Sequence, residues 1–195
     1  EQVGYLVGYL AALAAERAGG SSISAVGGFK EPPVDRFIAG YRAGAVAAVP
    51  GTTVKWAYSQ DWDDQAKCKE LALNQIAAGS KVVFQVAGGC GLGALSAAKD
   101  RKVWGIGVDG DQSFLGAHVL TSALKGVDAA VYLTIASARE GSFAGGGNAT
   151  FGIDQEGVGL GKISPRANAA DVEAVAAIEK QLAAGEIEGI PTTLK

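Results

Sequence analysis

Short apolar runs alternate with longer segments of helical periodicity along most of this sequence of 195 residues. The apolar runs predict β-strands at 22–28, 53–59, 81–87, 103–108 and 118–124, with two shorter strands near 150–153 and 157–160. The periodic segments predict helices at 3–17, 34–49, 63–79, 93–100, 127–140 and 169–185. Because strands that alternate with helices form right-handed β-α-β units, the pattern predicts an α/β fold with a parallel sheet flanked by helices.

Three loops leave the carboxyl ends of predicted strands: SQDWDD after Tyr58, AGGCGLG after Val86 and DGDQS after Val108. Ligands of open parallel sheets bind beyond the carboxyl ends of the strands, and all these ends lie on one edge. We therefore expect Trp62, the glycines at 88–91 and Asp109 to surround one crevice.

Residues 81–109 also fit a dinucleotide-binding fingerprint. Gly89, Gly91 and Ala94 match G-x-G-x-x-A, and Asp109 follows Gly89 by 20 residues, which is the spacing typical of an NAD-dependent oxidoreductase. The motif follows the third predicted strand instead of the first, and the helix after it is short. Glycines at such turns also serve close packing or positive φ, so the oxidoreductase is the alternative hypothesis.

The polar and aromatic residues at this edge each have two interpretations. The Asp109 carboxylate can accept hydrogen bonds from two vicinal hydroxyls, or it can stabilise a turn, the role we assign to Asp111. Trp62 is either a stacking platform for a flat base or a half-buried aromatic without a ligand. Lys125 can donate to hydroxyls or a carboxylate, although a solvated lysine is the commoner case.

The composition gives no support to several other functions. The formal net charge is −3 and no basic block is present, so nucleic-acid and membrane-surface partners are not expected. His118 is the only histidine, without a nucleophile pattern near it, and no metal-ligand spacing occurs. We therefore expect a protein that is not an enzyme and that needs no cofactor or metal.

Cys68 and Cys90 are the only cysteines. Zinc needs four ligands, and only His118 could join them. Cys68 lies in the first turns of one predicted helix and Cys90 directly precedes the next, and consecutive crossovers can place both helices on one face. A disulfide, which would indicate an oxidising compartment, and two unrelated buried thiols both remain open.

Ordered motifs along nearly the whole chain resemble the basic-membrane-protein family of ABC-transporter solute-binding lipoproteins, which includes purine nucleoside receptors. The matching segments are EQVGYLVGYLAA, VGGFKEPPVDRFIAGYRAG, DWDDQAKCKELALNQIAAGSKVVFQVAGGCGLG, GVDGDQSFLGAHVLTSALKGVDAAVY, FGIDQEGVGLGKIS and GEIEGIPTTLK. The third and fourth contain the loops at the predicted sheet edge.

The resemblance implies a periplasmic-binding fold of type I, in which two α/β lobes close on a nucleoside, most often a purine nucleoside. Trp62 matches the position that stacks on the base, and Gly88 and Gly89 belong to the glycine loop that approaches the ligand. Asp109 and Lys125 match residues that bind the ribose hydroxyls. The implied partners are the membrane subunits of an ABC importer, and the implied location is the periplasm or the outer face of the cytoplasmic membrane, with a lipid anchor.

The sequence also departs from the family pattern. The family's lipidated cysteine and first-lobe loop would precede Glu1, so we expect most of the amino-terminal lobe to be missing from this chain and to belong to a longer protein or a separate chain. Residues 19–125 are expected to form mainly the second lobe, and 126–195 to cross between lobes. The family usually has phenylalanine at position 62 and often threonine at position 90, so the preferred base is not specified.

Overall fold

The computed structural model describes residues 1–194 and contains a mixed sheet flanked by helices. Its strands are β1 (Ser22–Gly27), β2 (Thr53–Tyr58), β3 (Val82–Val86), β4 (Trp104–Asp109), β5 (Val119–Lys125) and β6 (Val158–Leu160), in the order β2-β1-β3-β4-β5-β6. The helices are α1 (Gln2–Arg17), α2 (Pro32–Ala48), α3 (Gln65–Ala77), α4 (Gly91–Asp100), α5 (Val127–Glu140) and α6 (Ala169–Ala183). No helix among the described residues has both the length and the hydropathy needed to cross a membrane.

Pairing is parallel from β2 through β5, which agrees with the α/β prediction, but β6 is antiparallel to β5. The strand predicted near 150–153 is absent. The chain instead forms a short 3₁₀ turn at Ile153–Gln155, and the N–H of Gly157 donates to the carbonyl of Gly152 at 2.9 Å. The carbonyl of Gly157 accepts from the N–H of Gly126, so this closed loop joins the start of β6 to the end of β5.

The two faces of the sheet carry different helices because successive strand residues point to opposite sides. Ile23 and Ala25 of β1 belong to the larger core cluster with α1, α2 and α6. Val26 belongs to a smaller cluster with α3 and α4. All the predicted helices form, with ends that differ from the prediction by a few residues.

The contact between α1 and α2 depends on glycines. A Cβ atom at Gly8 would overlap the carbonyl of Tyr41, and one at Gly44 would overlap the carbonyl of Tyr5. Glycine normally weakens a helix by roughly 0.5–1 kcal/mol relative to alanine. Here it allows the two backbones to touch, so the apolar faces of both helices reach the sheet.

Cys68 of α3 and Cys90, which directly precedes α4, form a disulfide, and both residues are fully buried. The two helices therefore lie on the same face of the sheet, as the right-handed crossovers require. The cysteines are separated by 22 positions, and closing a loop of this size stabilises a fold by about 3 kcal/mol in the chain-entropy model.

The glycine contact between α1 and α2 predicts that a Gly→Ala change in a helix destabilises this protein. In an ordinary helix a Gly→Ala change stabilises, but we expect Gly8→Ala to lower the free energy of unfolding by about 3 kcal/mol or more because the new methyl group meets a backbone carbonyl that cannot move aside. Urea unfolding followed by far-ultraviolet circular dichroism measures the change. Gly159→Ala is the control, since nothing lies within 4 Å of a Cβ there. Equal stability of the two variants would contradict this account of the contact.

Candidate ligand-binding site

An open cavity of about 190 Å³ lies at the carboxyl ends of the parallel strands. Four of the residues predicted from sequence line it together: Trp62, Gly88, Asp109 and Lys125. Gly89 is not part of the lining. Gly89 packs against the backbone of the loop that carries Trp62, where a Cβ atom would be 3.3 Å from the Trp62 carbonyl oxygen. The cavity is smaller than the roughly 300–1,000 Å³ of usual ligand pockets.

Trp62 lies on a backbone surface without side chains. A Cβ atom at Gly28 would overlap the six-membered ring of the indole, and one at Gly88 would be 3.5 Å from its Cε3 atom. The ring of Phe29 lies 5.5 Å away at an interplanar angle of 49°. Trp62 remains 37% exposed, so the indole is held in place while part of it stays accessible to a ligand.

The loop that carries Trp62 is ordered by Asp61. The Asp61 carboxylate accepts hydrogen bonds from the N–H groups of Asp63 and Asp64 at 2.9 and 3.0 Å, and from the Lys67 ammonium at 2.9 Å. These backbone donors, and then Lys67, hold the pKa of Asp61 well below its usual range. The Asp64 side chain caps α3 by accepting from the N–H of Ala66 at 2.9 Å.

Asp109 is the last residue of β4 and has a φ of 66°. This left-handed conformation is tolerated better by Asp and Asn than by most residues. Its carboxylate forms an ion pair with the Lys125 ammonium at 2.6 Å, and the two side chains are 52% and 46% exposed. An ion pair this exposed contributes only about 0–1 kcal/mol, so a ligand hydroxyl can compete for either group at little cost.

The glycine loop is not arranged to hold a pyrophosphate. The N–H of Cys90 donates to the carbonyl of Trp62 at 2.7 Å, and the N–H groups of Gly91 to Gly93 bond within the turn itself. A phosphate at a helix N-terminus needs such donors to be free. Gly91 faces the side chain of Gln85, where any Cβ atom would overlap it. Close packing therefore explains Gly91, and the dinucleotide interpretation has no structural support.

The remaining predicted residues lie outside this cavity. Asp111 accepts hydrogen bonds from the N–H and hydroxyl of Ser113 at 3.2 and 2.8 Å, so it stabilises the turn after β4. His118 is partly buried on the α4 side of the sheet, and burial, with a smaller effect of Lys99, lowers its pKa. Within residues 1–194 no group of three or more His, Cys, Asp or Glu side chains could hold a metal ion.

Sequence reasoning missed one wall of the cavity. The loop after β1 and the start of α2 contribute Glu31, Pro33, Val34 and Phe37. This wall could have been predicted from the sequence, because a strand that is parallel to its neighbours has its carboxyl end at the same edge of the sheet. The sequence GGFKEPP, with a glycine pair followed by a proline pair, marks that turn.

An aromatic, a glycine loop and an ion pair thus surround one open cavity at the carboxyl edge of a parallel sheet. Comparison with known proteins identifies the family. The Bmp family, described as ABC transporter substrate-binding proteins that are PnrA-like, matches residues 1–191. The chain belongs to this family, which consists of binding proteins and not of enzymes.

Individual relatives agree. The chain is 36% identical to the ABC transporter nucleoside-binding protein BmpA of Lactococcus lactis, over 78% of this chain and 49% of the relative. It is 35% identical to the CD4+ T-cell-stimulating antigen of Listeria monocytogenes, over 80% of this chain and 48% of the relative. A solute-binding protein of an ABC transporter system from Aeropyrum pernix superimposes with a TM-score of 0.84 at 26% identity, over 97% of this chain and 64% of that structure. The chain thus spans about half the length of the curated relatives it matches.

The Asp61 hydrogen bonds predict how the Trp62 loop responds to acid. A carboxylate whose pKa is lowered by folding stabilises above its ordinary pKa near 4 and loses that contribution as the pH falls toward the lowered value. We therefore expect the environment of Trp62 to stay constant from pH 7 to about 4 and to change only below that range. Tryptophan fluorescence of the Trp56→Phe, Trp104→Phe protein, in which Trp62 is the only tryptophan, measures the change.

Asp61→Ala is the companion variant for this titration. Because it removes the acceptor of all three hydrogen bonds, its Trp62 emission should already be shifted at neutral pH and should lack the acid transition. A transition of the parent protein between pH 4 and 6 would show that another group orders the loop.

Proposed function

We propose that this chain is the second-lobe half of an extracytoplasmic solute-binding component of an ABC importer, and that its ligand is a nucleoside, most favourably a purine nucleoside. The observation that carries the proposal is the presence of the Asp109–Lys125 ion pair and the Trp62 indole in one open cavity. A nucleoside is a ligand with both a flat base and vicinal hydroxyls, so it matches both parts of this lining.

Each part of the cavity has a distinct task in this proposal. The exposed part of the Trp62 ring stacks on the base, since a flat aromatic surface binds bases with little dependence on sequence or substituents. The Asp109 carboxylate accepts hydrogen bonds from two ribose hydroxyls, and Lys125 donates to one of them. The left-handed turn at Gly88, with a φ of 56°, brings the backbone close to the ring without a Cβ atom in between.

The L. lactis relative, which is named as a nucleoside-binding protein, supports this ligand class. The Cys68–Cys90 disulfide supports a compartment outside the cytoplasm, because structural disulfides persist in oxidising environments. The partners in this proposal are the membrane subunits of the importer. The formal net charge is −3 and the sequence has no basic block, so nucleic acid is not among the proposed partners.

A nuclear magnetic resonance titration tests the ligand class even if a single lobe binds only weakly. Purine ribonucleosides at millimolar concentration should shift the Trp62 indole N–H and the backbone amides of Gly88 and Asp109. Free ribose and hexoses should shift them less, because they lack a base. Asp109→Asn should weaken nucleoside binding about tenfold to a hundredfold, since it removes charge-assisted bonds while Asn still tolerates the left-handed φ.

The matched control is Asp100→Asn. Asp100 forms a comparable exposed ion pair with Lys69 at 2.7 Å, but on the helices α3 and α4, away from the cavity. We expect it to bind nucleosides like the parent protein. Binding of sugars in place of nucleosides, or full affinity in Asp109→Asn, would contradict the proposed function.

The second part of the proposal concerns α5. None of its residues is buried, although it exposes apolar side chains along much of its length: Val127, Val131, Tyr132, Leu133 and Ile135. An apolar groove of about 470 Å³ lies between α5 and residues 151–158. An unpartnered helix with this composition indicates an interaction surface. We infer that the first lobe of the same receptor covers it, and that α5 is the part of 126–195 that faces that lobe.

Native mass spectrometry of the protein purified from its source, followed by denaturing conditions, tests the first lobe. We expect either a single chain longer than the one described here or a complex heavier than 19.6 kDa that releases a second polypeptide of lobe size. Hydrogen exchange of α5 should be slow in that sample because the first lobe covers the helix. A bare 19.6 kDa chain with rapidly exchanging α5 amides would contradict the inference.

A further inference from the structure

Two glutamine side chains form a bridge between the ligand loops. Gln85 Nε2 donates to Gln112 Oε1 at 2.7 Å. Gln85 Oε1 accepts from the N–H of Ala87 at 3.1 Å, and Gln112 Oε1 also accepts from the N–H of Val108 at 3.1 Å. Because both backbone groups are donors, they determine which end of each amide faces them. The three hydrogen bonds therefore form one consistent chain from the Ala87 N–H to the Val108 N–H.

The bridge lies where β3 and β4 stop pairing through their backbones. The register pairs between β3 and β4 end at Phe84 and Ile106, although the strands continue to Val86 and Asp109. Beyond those pairs the two backbones need other partners for their polar groups. The glutamine amides supply partners at Ala87 and Val108, so side chains replace the missing backbone ladder across the gap.

Each backbone N–H in the bridge belongs to the residue directly before a left-handed turn. Ala87 precedes Gly88, which has a φ of 56°, and Val108 precedes Asp109, which has a φ of 66°. Gly88 and Asp109 both line the candidate cavity. The bridge therefore holds the two turns that present a backbone surface and a carboxylate to the ligand.

The surroundings make the bridge rigid. Gln85 is 1% exposed, and its amide occupies the space that a Cβ atom at Gly91 would need. The backbone N–H of Gln112 donates to the Ser122 hydroxyl at 3.0 Å, which fastens the β4–β5 loop to β5. The buried amide of Gln85 resists displacement because any broken bond leaves one of its polar atoms without a partner.

We propose that Gln85 and Gln112 are positioning residues that set the separation between the glycine loop and Asp109, and that this separation lets the site distinguish a ribose from a 2′-deoxyribose. Neither glutamine touches the ligand in this mechanism. The consequence for the ligand rests on the proposed function, whereas the coupling of the two loops does not.

Amide hydrogen exchange measured by nuclear magnetic resonance tests the coupling without any ligand. Gln85→Met should raise the exchange rate of the Ala87 amide, its direct partner, and also that of Val108, by about tenfold each. Gln112→Met should likewise affect both amides. Gln112→Glu should restore protection, because this position needs only an acceptor at its side-chain oxygen.

Gln75→Met is the matched control for these variants. Gln75 is also buried, and its Nε2 donates to the carbonyl of Ala25 in β1 at 2.9 Å, away from the cavity. We expect it to leave the exchange of Ala87 and Val108 unchanged. If Gln85→Met fails to fold, the comparison of Gln112→Met with Gln112→Glu tests the bridge instead. Gln112 is only partly buried, so we expect its variants to fold. Increased exchange confined to the directly bonded amide would overturn the bridge.

The second measurement compares the affinities for a purine ribonucleoside and its 2′-deoxy counterpart. We expect the parent, Gln75→Met and Gln112→Glu to prefer the ribonucleoside, and Gln85→Met and Gln112→Met to lose most of that preference. A structural defect alone would lower both affinities and keep their ratio. An unchanged ratio in the methionine variants, with coupled exchange, would overturn the positioning role. A parent that binds neither nucleoside refutes the proposed function, while the exchange experiment still decides the bridge.

Discussion

The parallel pairing of β1 to β5 is the constraint on which the site depends. Parallel strands end at one edge, and so the carboxyl ends of five strands, β1 to β5, which are far apart in sequence, converge there. The sheet can pair in this way only because helices cover both faces, and one of these layers requires glycine at the contact between α1 and α2. The candidate cavity is thus a consequence of how the backbones pack, before any functional side chain is considered.

The carboxyl edge is held together by several polar contacts that have separate tasks. Asp61 orders the loop of Trp62, and the N–H of Cys90 joins that loop to the glycine turn. The pair of Gln85 and Gln112 spans the opening between β3 and β4. These contacts use buried or local hydrogen bonds, whereas the ion pair of Asp109 and Lys125 stays exposed. The scaffold is therefore fixed while the groups assigned to the ligand remain available.

Much of the fold was accessible from sequence because helices and strands have different hydrophobic periods. The helices and the five long strands followed that signal, including α5, none of whose residues is buried. The strand near 150–153 did not form, and the antiparallel direction of β6 was not anticipated. Both errors have one cause, which is that short segments at a sheet edge carry too few buried residues for a period to be read.

The sequence by itself determined which residue types stand at the ends of the parallel strands, and with them the positions of Trp62, Gly88, Asp109 and Lys125. This was possible because strand ends follow from local pattern and topology follows from chirality. Only the tertiary structure decided that the cysteines are joined, that Gly28 makes room for the indole, and that Gln85 meets Gln112. Those contacts join residues that are distant along the chain, and a local sequence pattern does not show which distant residues meet in the folded protein.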